Sequence, residues 1–352
     1  MKNLYRVLGV LLTVLFIVVI ALLVMIRTEE PAWTDAQAQP HTQMQTTAAA
    51  QDNTLTISFV GDCMFASDHG KAEPGSFNRM AEEQPPSYFL QNFAPLFRAD
   101  DFTVANCECV LSDNVLQEKE ASGPRSIWFK GPARHAEIFQ TAGVEFASVV
   151  NNHSHDFRQQ GSDDTVAALE SVGVLPGKRD EVTYTHVKGQ KLGIFCYELV
   201  RPGQVDDVLE KVSEMRLADC NLIILYFHSG IEYQTMPERW LVRAFHQLID
   251  AGVDVIVSSH PHVIQPMEVY HDKPILYSLG NFCFGGNYRP PVDTVVYQAV
   301  YMLQNGTIAD RRDVLIPCAV YSGELNNYQP YIVTDADKKE EILQFMRTPV
   351  AS

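Results

Sequence analysis

Polar side chains that can bind a metal or transfer a proton directly follow apolar segments of this sequence. The pattern occurs at five places, each time after a run with the composition of a β-strand. The side chains concerned are Asp62, Glu108, Asn152 with His153, His228, and His260 with His262. Because ligands of open α/β sheets bind at the carboxyl ends of the strands, we expect these side chains to meet at one edge. Their donor types predict one or two divalent cations, for which Mn, Fe and Zn fit equally well.

The segment His260-Pro261-His262 is the strongest local signal for a metal ligand. Two imidazoles at positions i and i+2 of extended backbone point the same way and can reach one metal centre or two neighbouring ones. The proline between them restricts the backbone. A lone His228 would more often be a buried core histidine, but the presence of other histidines after strand-like segments favours a metal ligand.

The segment 151–156 adds residues suited to proton transfer. His153 can protonate a leaving group without binding metal itself, and Asp156 is close enough in sequence to orient it. The alternative is a polar loop that caps the next helix. Four further residues are predicted to contact a substrate: Lys130, Glu232, Tyr233 and Asn281.

The elements that must position these residues alternate between strand and helix patterns. Strand-like runs cover residues 55–60, 102–105, 146–150, 192–197, 221–227, 253–258 and 275–278, and amphipathic helical segments cover 133–142, 163–172 and 237–251. This alternation predicts an α/β domain. No repeat or second shift in composition interrupts it, so we expect one domain from residue 54 to 352, with less regular covering strands after residue 290.

The N-terminus predicts a membrane anchor. Between Arg6 and Arg27 the chain carries no charge, and an apolar run of about 20 residues is long enough to cross a bilayer. Lys2 and Arg6 precede the run, which favours a single-pass anchor over residues 1–27 with the rest of the chain outside the cytoplasm. A cleaved signal peptide, with its site near residues 36–38, is the alternative. Residues 28–53 are rich in Pro, Gln, Thr and Ala and predict a flexible linker.

Charge and cysteine content exclude other classes of protein. The net charge of −16 and the absence of Lys and Arg clusters exclude a nucleic-acid partner. A polyanionic substrate would have to be met locally, by cations or a bound metal. The seven cysteines include no CxxC pair, which argues against a zinc knuckle. We expect mostly buried thiols, although an exported domain can also hold a disulfide.

Seven motifs in order resemble the CapA family of poly-γ-glutamate capsule synthesis proteins. They are Gly-Asp-x-Met (61–64), Asn-x-Glu (106–108), Phe-Lys-x-Pro (129–132), Asn-Asn-His-x-x-Asp (151–156), His-x-Gly-x-Glu-Tyr (228–233), His-Pro-His-Val-x-Gln (260–265) and Tyr-Ser-Leu-Gly-Asn-Phe (277–282). The resemblance implies a calcineurin-like metallophosphoesterase sandwich, in which two β-sheets are flanked by helices. It also implies metal ligands at Asp62, Glu108, Asn152, His228, His260 and His262, with His153 as general acid.

Two departures from the wider metallophosphatase pattern bear on activity. Metallophosphatases of this type have Asp-x-His on the first strand, whereas this chain has Met64, and Glu108 replaces a shorter bridging aspartate. Three functions therefore stay open. In the first, the chain is a membrane-anchored component that handles poly-γ-glutamate or a similar anionic polymer, with capsule-synthase subunits as partners. Alternatively, it is a metal-dependent hydrolase of phosphoesters or γ-glutamyl amides, or a polymer-binding module with a vestigial site.

Overall fold

A computed structural model describes residues 53–68, 73–121, 123, 126–287 and 289–351 of the chain. The predicted anchor, and all of the predicted linker except Asn53, lie outside the described residues. Among the residues that are described, no helix is long and apolar enough to cross a membrane.

The described part contains strands throughout its length. In chain order they are β1 (Thr54–Met64), β2 (Ser67–Asp68), β3 (Phe102–Cys107), β4 (Val110–Leu111), β5 (Phe129–Gly131), β6 (Phe146–Ser148), β7 (Leu175–Gly177), β8 (Val182–Val187), β9 (Gln190–Tyr197), β10 (Leu222–His228), β11 (Val255–Ser259), β12 (Ile264–Tyr270), β13 (Lys273–Leu279), β14 (Asn281–Phe284), β15 (Asp293–Gln304), β16 (Thr307–Ala319) and β17 (Tyr331–Ile332).

Helices occupy several of the connections between strands. They are α1 (Phe77–Glu83), α2 (Ala94–Phe97), α3 (Glu137–Ala142), α4 (Arg158–Ser171), α5 (Val205–Leu217), α6 (Arg239–Asp250) and α7 (Ala336–Met346). Three of them, α3, α4 and α6, correspond to the predicted helical segments, while α1, α2, α5 and α7 had no counterpart in the sequence prediction. The predicted segment 133–142 is divided between a 3₁₀ turn over Ala133–Ala136 and α3.

The strands form two large sheets and one small one. An eight-stranded sheet has the order β17-β16-β15-β1-β3-β6-β7, with β14 paired to β1 outside this path. A six-stranded sheet has the order β12-β13-β11-β10-β9-β8, and β4, β5 and β2 form the small sheet. In the large sheets β1, β3, β6 and β7 run parallel to one another, as do β9, β10, β11 and β13.

The two large sheets pack face to face. Alternate side chains of β1 (Leu55, Ile57, Phe59) share one buried core with alternate side chains of β10 (Leu222, Ile224, Tyr226). The other face of the eight-stranded sheet packs against α1 to α4, and the other face of the six-stranded sheet packs against α5 and α6. The predicted α/β class is therefore confirmed, and the layers form a sandwich.

This packing sets the polar residues at one edge. The parallel strands β1, β3 and β6 end side by side in one sheet, and β10 and β11 end side by side in the other. The hydroxyl of Tyr226, fully buried between the sheets, donates a hydrogen bond of 2.7 Å to the carbonyl of Val60. It joins the two sheets two residues before each strand reaches Asp62 or His228.

The strands expected after residue 290 are present, but they are more regular than the sequence suggested, so the expected irregularity was wrong. Strands β15 and β16, of 12 and 13 residues, are the two longest in the described part of the chain and form one antiparallel hairpin. Asn305 and Gly306 join them with φ values of 53° and 77°, the positive pair that a type I′ turn requires. All seven cysteines are free thiols, and Cys220 alone among them is not buried.

Candidate metal centre

The strand ends bring the predicted ligands into one buried cluster. Asp62 lies near the end of β1, Glu108 directly follows β3, and His228 is the last residue of β10. His260 directly follows β11, and His262 stands two residues further along. Four of these five side chains are at least nine-tenths buried, so their charges interact at low dielectric.

Asp62 is held as an anion by donors on two sides. The amide of Asn106 donates to its Oδ1 at 2.8 Å, and the backbone N–H of His260 donates to its Oδ2 at 3.2 Å. The Nδ1 of His262 lies 3.3 Å from the same Oδ2. Burial opposes ionisation, but the hydrogen bond with His262 and the charges of the neighbouring histidines hold the pKa of Asp62 below its ordinary value.

Glu108 has the opposite environment. Its side chain is fully buried, and neither carboxylate oxygen has a hydrogen-bond partner among the described residues. The nearest histidine nitrogens to Oε1 are the Nε2 atoms of His228 at 3.6 Å and His262 at 3.8 Å. Burial, and then the Asp62 charge, raise the pKa of Glu108 well above its ordinary value. An unpaired buried carboxylate is costly unless a cation binds it, so this environment fits a metal ligand.

The donors fall into two groups that share Glu108. One contains Glu108, His228 and His260 and is called here the two-histidine group; the other contains Asp62, Glu108 and His262 and is called the two-carboxylate group. In each group the donor atoms lie within 4.8 Å of one another. A carboxylate common to both groups can bridge two neighbouring ions, as two-metal sites require.

Asn152 adjoins the two-histidine group. Its Oδ1 lies 2.8 Å from the Nε2 of His228, which in turn lies 2.9 Å from the Nδ1 of His260. Burial and the nearby charge of His260 lower the pKa of His228 well below its ordinary value. His228 is therefore neutral and can donate a nitrogen lone pair to a metal.

The backbone at the two adjacent histidines differs from the expected extended form. His260 has a φ of 100° and His262 a φ of 58°, so the expectation of an extended His-Pro-His segment was wrong. The chain turns sharply after β11 because His260 N–H bonds Asp62 and the His262 ring bonds Asn281. Backbone of this kind costs about 1–3 kcal/mol per residue and is concentrated at functional sites.

Asn281 lies behind His262. It is fully buried, and its Oδ1 is 3.0 Å from the Nδ1 of His262 while its amide donates to the His262 carbonyl at 3.2 Å. These two contacts orient a ligand of the two-carboxylate group. The contact of Asn281 with a substrate stays a prediction.

The predicted proton donor, His153, is hydrogen-bonded to Asp156, which is in turn hydrogen-bonded to the backbone of Phe129. The Nδ1 of His153 lies 2.7 Å from the Oδ2 of Asp156, and that oxygen also accepts the backbone N–H of Phe129 at 2.9 Å. The His153 ring packs edge-on against Phe129 with 4.8 Å between ring centres. His153 is therefore oriented through Nδ1, which leaves Nε2 as its free nitrogen for proton transfer.

The other predicted substrate contacts differ in their distance from the ligands. Tyr233 is 59% exposed, and its ring centre lies 6.3 Å from that of His262. Its backbone has a φ of 63° and is fixed by a hydrogen bond of 2.8 Å to the Pro261 carbonyl. Glu232 precedes it and is exposed. Lys130 lies on β5 in the small sheet, and its role stays a prediction.

Sequence reasoning missed three residues of this site. Asn106 and Asn151 connect the ligands to the proton donor: the Asn151 amide donates to the Asn106 oxygen at 3.1 Å, and the Asn151 oxygen accepts the His153 N–H at 3.1 Å. Both belong to motifs that were recognised, so a signal existed. Lys119, whose Nζ lies 2.6 Å from the Oδ1 of Asp156, belongs to no motif.

Comparison with known proteins identifies the family. Residues 56–286 match the family described as "Bacterial capsule synthesis protein PGA_cap". The PGA biosynthesis protein CapA of Bacillus subtilis is 27% identical over 73% of this chain and 70% of its own length. The capsule biosynthesis protein CapA of Bacillus anthracis is 26% identical over 73% of this chain and 66% of its own length.

A probable polyglutamine synthesis accessory protein of Mycobacterium tuberculosis is 32% identical over 50% of this chain and 54% of its own length. The resemblance to CapA proteins that the motifs carry is thereby confirmed. This chain belongs to the bacterial capsule synthesis protein family PGA_cap.

Proposed function

We propose that this chain is a metal-dependent hydrolase of capsular polyglutamate synthesis, anchored in the membrane with its catalytic domain outside the cytoplasm. The observation that carries the catalytic part is Glu108, a fully buried carboxylate without a hydrogen-bond partner in the described part, between two groups of donors. In a calcineurin-like sandwich, which the resemblance implies, such a carboxylate bridges two ions. When bound, the ions supply a nucleophile from water at neutral pH and stabilise negative charge in the transition state.

The chain's own residues supply orientation and a proton. Hydrolysis adds the hydroxyl of water to phosphorus or to a carbonyl carbon, breaks the bond to the leaving oxygen or nitrogen, and requires a proton on that atom. His153 is placed to give this proton from Nε2, because its Nδ1 is bonded to Asp156. Tyr233 and Glu232 form the exposed side of the site, where substrate would enter.

The substrate class is inferred from charge and from the relatives. The chain has a net charge of −16, so an anionic polymer would be attracted locally, by the metal centre. The names of the Bacillus relatives refer to PGA and capsule biosynthesis. We therefore propose as the substrate poly-γ-glutamate, cleaved at a γ-glutamyl amide, or a related anionic polymer that contains phosphate, cleaved at a phosphoester.

A second function has its own observation. Met64 takes the place of an imidazole in the metallophosphatase pattern and is fully buried in the apolar core, so the two-carboxylate group has three predicted ligands within the described residues. A metal centre weakened in this way favours a protein that binds the polymer and assists its synthesis, export or anchoring with synthase subunits, without hydrolysis.

The first experiment measures metal content. The full-length chain is purified without chelator and analysed for Mn, Fe and Zn beside the double variant His260→Ala/His262→Ala. About two ions per chain in the wild type, absent from the variant, would support the two-metal centre. Turnover of an aryl phosphoester or shortening of poly-γ-glutamate by the loaded protein would then support a hydrolase. Metal without turnover would favour the polymer-binding function, and folded protein without metal would refute the metal centre.

A further inference from the structure

Lys119 makes close contacts with the segment that carries the proton donor. It lies in the connection between β4 and β5, far in sequence from His153. Its Nζ is 2.6 Å from the Oδ1 of Asp156 and donates to the carbonyl of Asn152 at 3.0 Å. Its backbone N–H donates to the carbonyl of Asp156 at 2.8 Å. Three contacts therefore fix both the backbone and the ammonium of Lys119 on residues 152–156.

The positive charge of Lys119 pairs with the carboxylate of Asp156. Asp156 is fully buried, and a buried carboxylate needs a cation or several hydrogen bonds to remain charged in that position. Its Oδ2 is bonded to His153 and to the N–H of Phe129, while Lys119 pairs with the other oxygen, Oδ1. With both oxygens engaged, the carboxylate plane cannot rotate, and the direction of its contact with His153 is fixed.

The Asn152 contact extends the effect toward the ligands. Asn152 Oδ1 lies 2.8 Å from His228 Nε2, and the Asn152 carbonyl accepts from Lys119. One ammonium group thus connects the backbone of Asn152, which adjoins the two-histidine group, to the carboxylate that orients the predicted proton donor. The Lys119 side chain is 39% exposed, so it can be replaced without opening a cavity in the core.

We propose that Lys119 is a positioning residue for proton donation: it holds Asp156, and through Asp156 the His153 ring, in the orientation that directs Nε2 toward the leaving group. This inference rests on the proposed hydrolase function. Lys119 does not touch the reacting atoms. Its removal should therefore lower the rate of reactions that need the proton while sparing those that do not.

The test compares two leaving groups in the variant Lys119→Met. This substitution keeps most of the length of the side chain and removes its charge. One substrate releases 4-nitrophenolate, which leaves without a proton, and the other releases an alkoxide, which needs one. We expect kcat for the alkyl ester to fall by about 10–100-fold, the usual effect of residues that orient a functional group, and kcat for the aryl ester to fall by less than about 3-fold. If the wild type cleaves γ-glutamyl amides instead, a 4-nitrophenyl ester of the same acyl group, whose leaving group needs no proton, is compared with an alkyl amide, whose leaving nitrogen needs one. Equal losses for both leaving groups would refute the proposal.

Two further variants separate positioning from general damage. In a His153→Ala background, Lys119→Met should cause no additional loss on the alkyl substrate, because residues that act through one another are not additive. An additional loss of 10-fold would contradict the proposal. Lys119→Arg should recover most of the rate, and Lys211→Met, on the outer face of α5, should leave both rates unchanged.

A readout independent of turnover distinguishes this inference from the proposed function. In metal-free protein labelled with ¹⁵N-histidine, the Nδ1–H of His153 should give a protected downfield proton resonance, assigned by its absence in His153→Ala. Loss of this resonance in Lys119→Met and its retention in Lys119→Arg would support the positioning role, even if the loaded wild type hydrolyses nothing. An unchanged resonance in Lys119→Met would overturn it, even if the wild type is an active hydrolase.

Discussion

Replacement of Glu108 by glutamine separates two effects of this carboxylate on the free energy of unfolding: destabilisation of the metal-free protein and stabilisation when metal binds. Glutamine has nearly the same shape but no charge, so it removes the buried carboxylate that has no hydrogen-bond partner in the described part of the chain. An unsatisfied buried polar group costs about 1–3 kcal/mol, and more if it is charged. We therefore expect metal-free Glu108→Gln to be at least as stable as the metal-free wild type, and up to about 3 kcal/mol more stable at neutral pH.

The metal-bound proteins should show the reverse order. A ligand at 100 times its Kd stabilises the folded state by about 2.7 kcal/mol per ion. Because Glu108 belongs to both donor groups, its replacement should weaken the binding of both ions. If each Kd rises about 100-fold, the same metal concentration adds only about 0.4 kcal/mol per ion. At about 2 °C per kcal/mol, the wild-type Tm rises by about 5 °C for each ion and the variant Tm by about 1 °C.

The assay is thermal and urea unfolding with and without Mn or Zn, in parallel with elemental analysis. Glu324→Gln, which changes an exposed carboxylate in a loop, is the matched control and should behave as the wild type in both states. A Glu108→Gln protein that retains two ions and the full increase in Tm would refute the assignment of Glu108 as the bridging ligand. A variant that is less stable than the wild type without metal would refute the view that the carboxylate is unfavourable in the empty site.

Three further predictions concern the metals and the two sheets. Under titration with a chelator, zinc bound by the two-carboxylate group should leave first, because imidazoles are better ligands for zinc than carboxylates, and the elemental content should fall in two steps. Burial raises the pKa of Glu145 to about 7 from 4.5, so its contribution to stability is complete below pH 4.5 and is lost as the pH rises toward 7. Glu145→Gln, which can still accept the Thr103 N–H, should therefore be more stable than the wild type at pH 8 by about 1–2 kcal/mol, after allowance for its partial exposure, and equally stable at pH 4, as measured by urea unfolding. Tyr226→Phe should lower the unfolding free energy by about 1–3 kcal/mol, because the Val60 carbonyl loses its donor between the sheets; no change in the urea midpoint would contradict this.

That the predicted ligands lie close together could be foreseen because their positions depend on the simplest property of a parallel sheet. A strand that is buried on both faces is apolar until it ends, and the first polar residues after it mark the carboxyl edge. Asp62, Glu108 and His228 follow this rule, and the structure brings them together. The local backbone could not be predicted in the same way. The positive φ of His260 depends on the hydrogen bond from its N–H to Asp62, a residue 198 positions earlier in the chain.

The hairpin of β15 and β16 shows a different limit. Asn305-Gly306 is a strong turn signal, so the information for the turn was present in the sequence. It was outweighed by the polar outer strand, whose exposed residues resemble those of an irregular segment. Among the described residues, β17 pairs only with Cys318 and Ala319, so most of β16 lies at the edge of the sheet. Such a strand carries a weaker apolar pattern than a central one, although β16 pairs with β15 along its length with one register shift, between Met302 and Leu303.

Two asparagines connect the predicted metal ligands to the segment that carries the predicted proton donor. Asn106 is opposite Asp62 in the register of β1 and β3, so its amide reaches the carboxylate at 2.8 Å. Its side-chain oxygen accepts a hydrogen bond from the Asn151 amide at 3.1 Å. The side-chain oxygen of Asn151 in turn accepts the backbone N–H of His153 at 3.1 Å. A neutral amide can donate on one side and accept on the other, which a carboxylate cannot do, so this series connects an anion to the proton donor without adding charge. Replacement of either amide by aspartate would place a second anion against a carboxylate or a carbonyl, and would disturb both halves of the site at once.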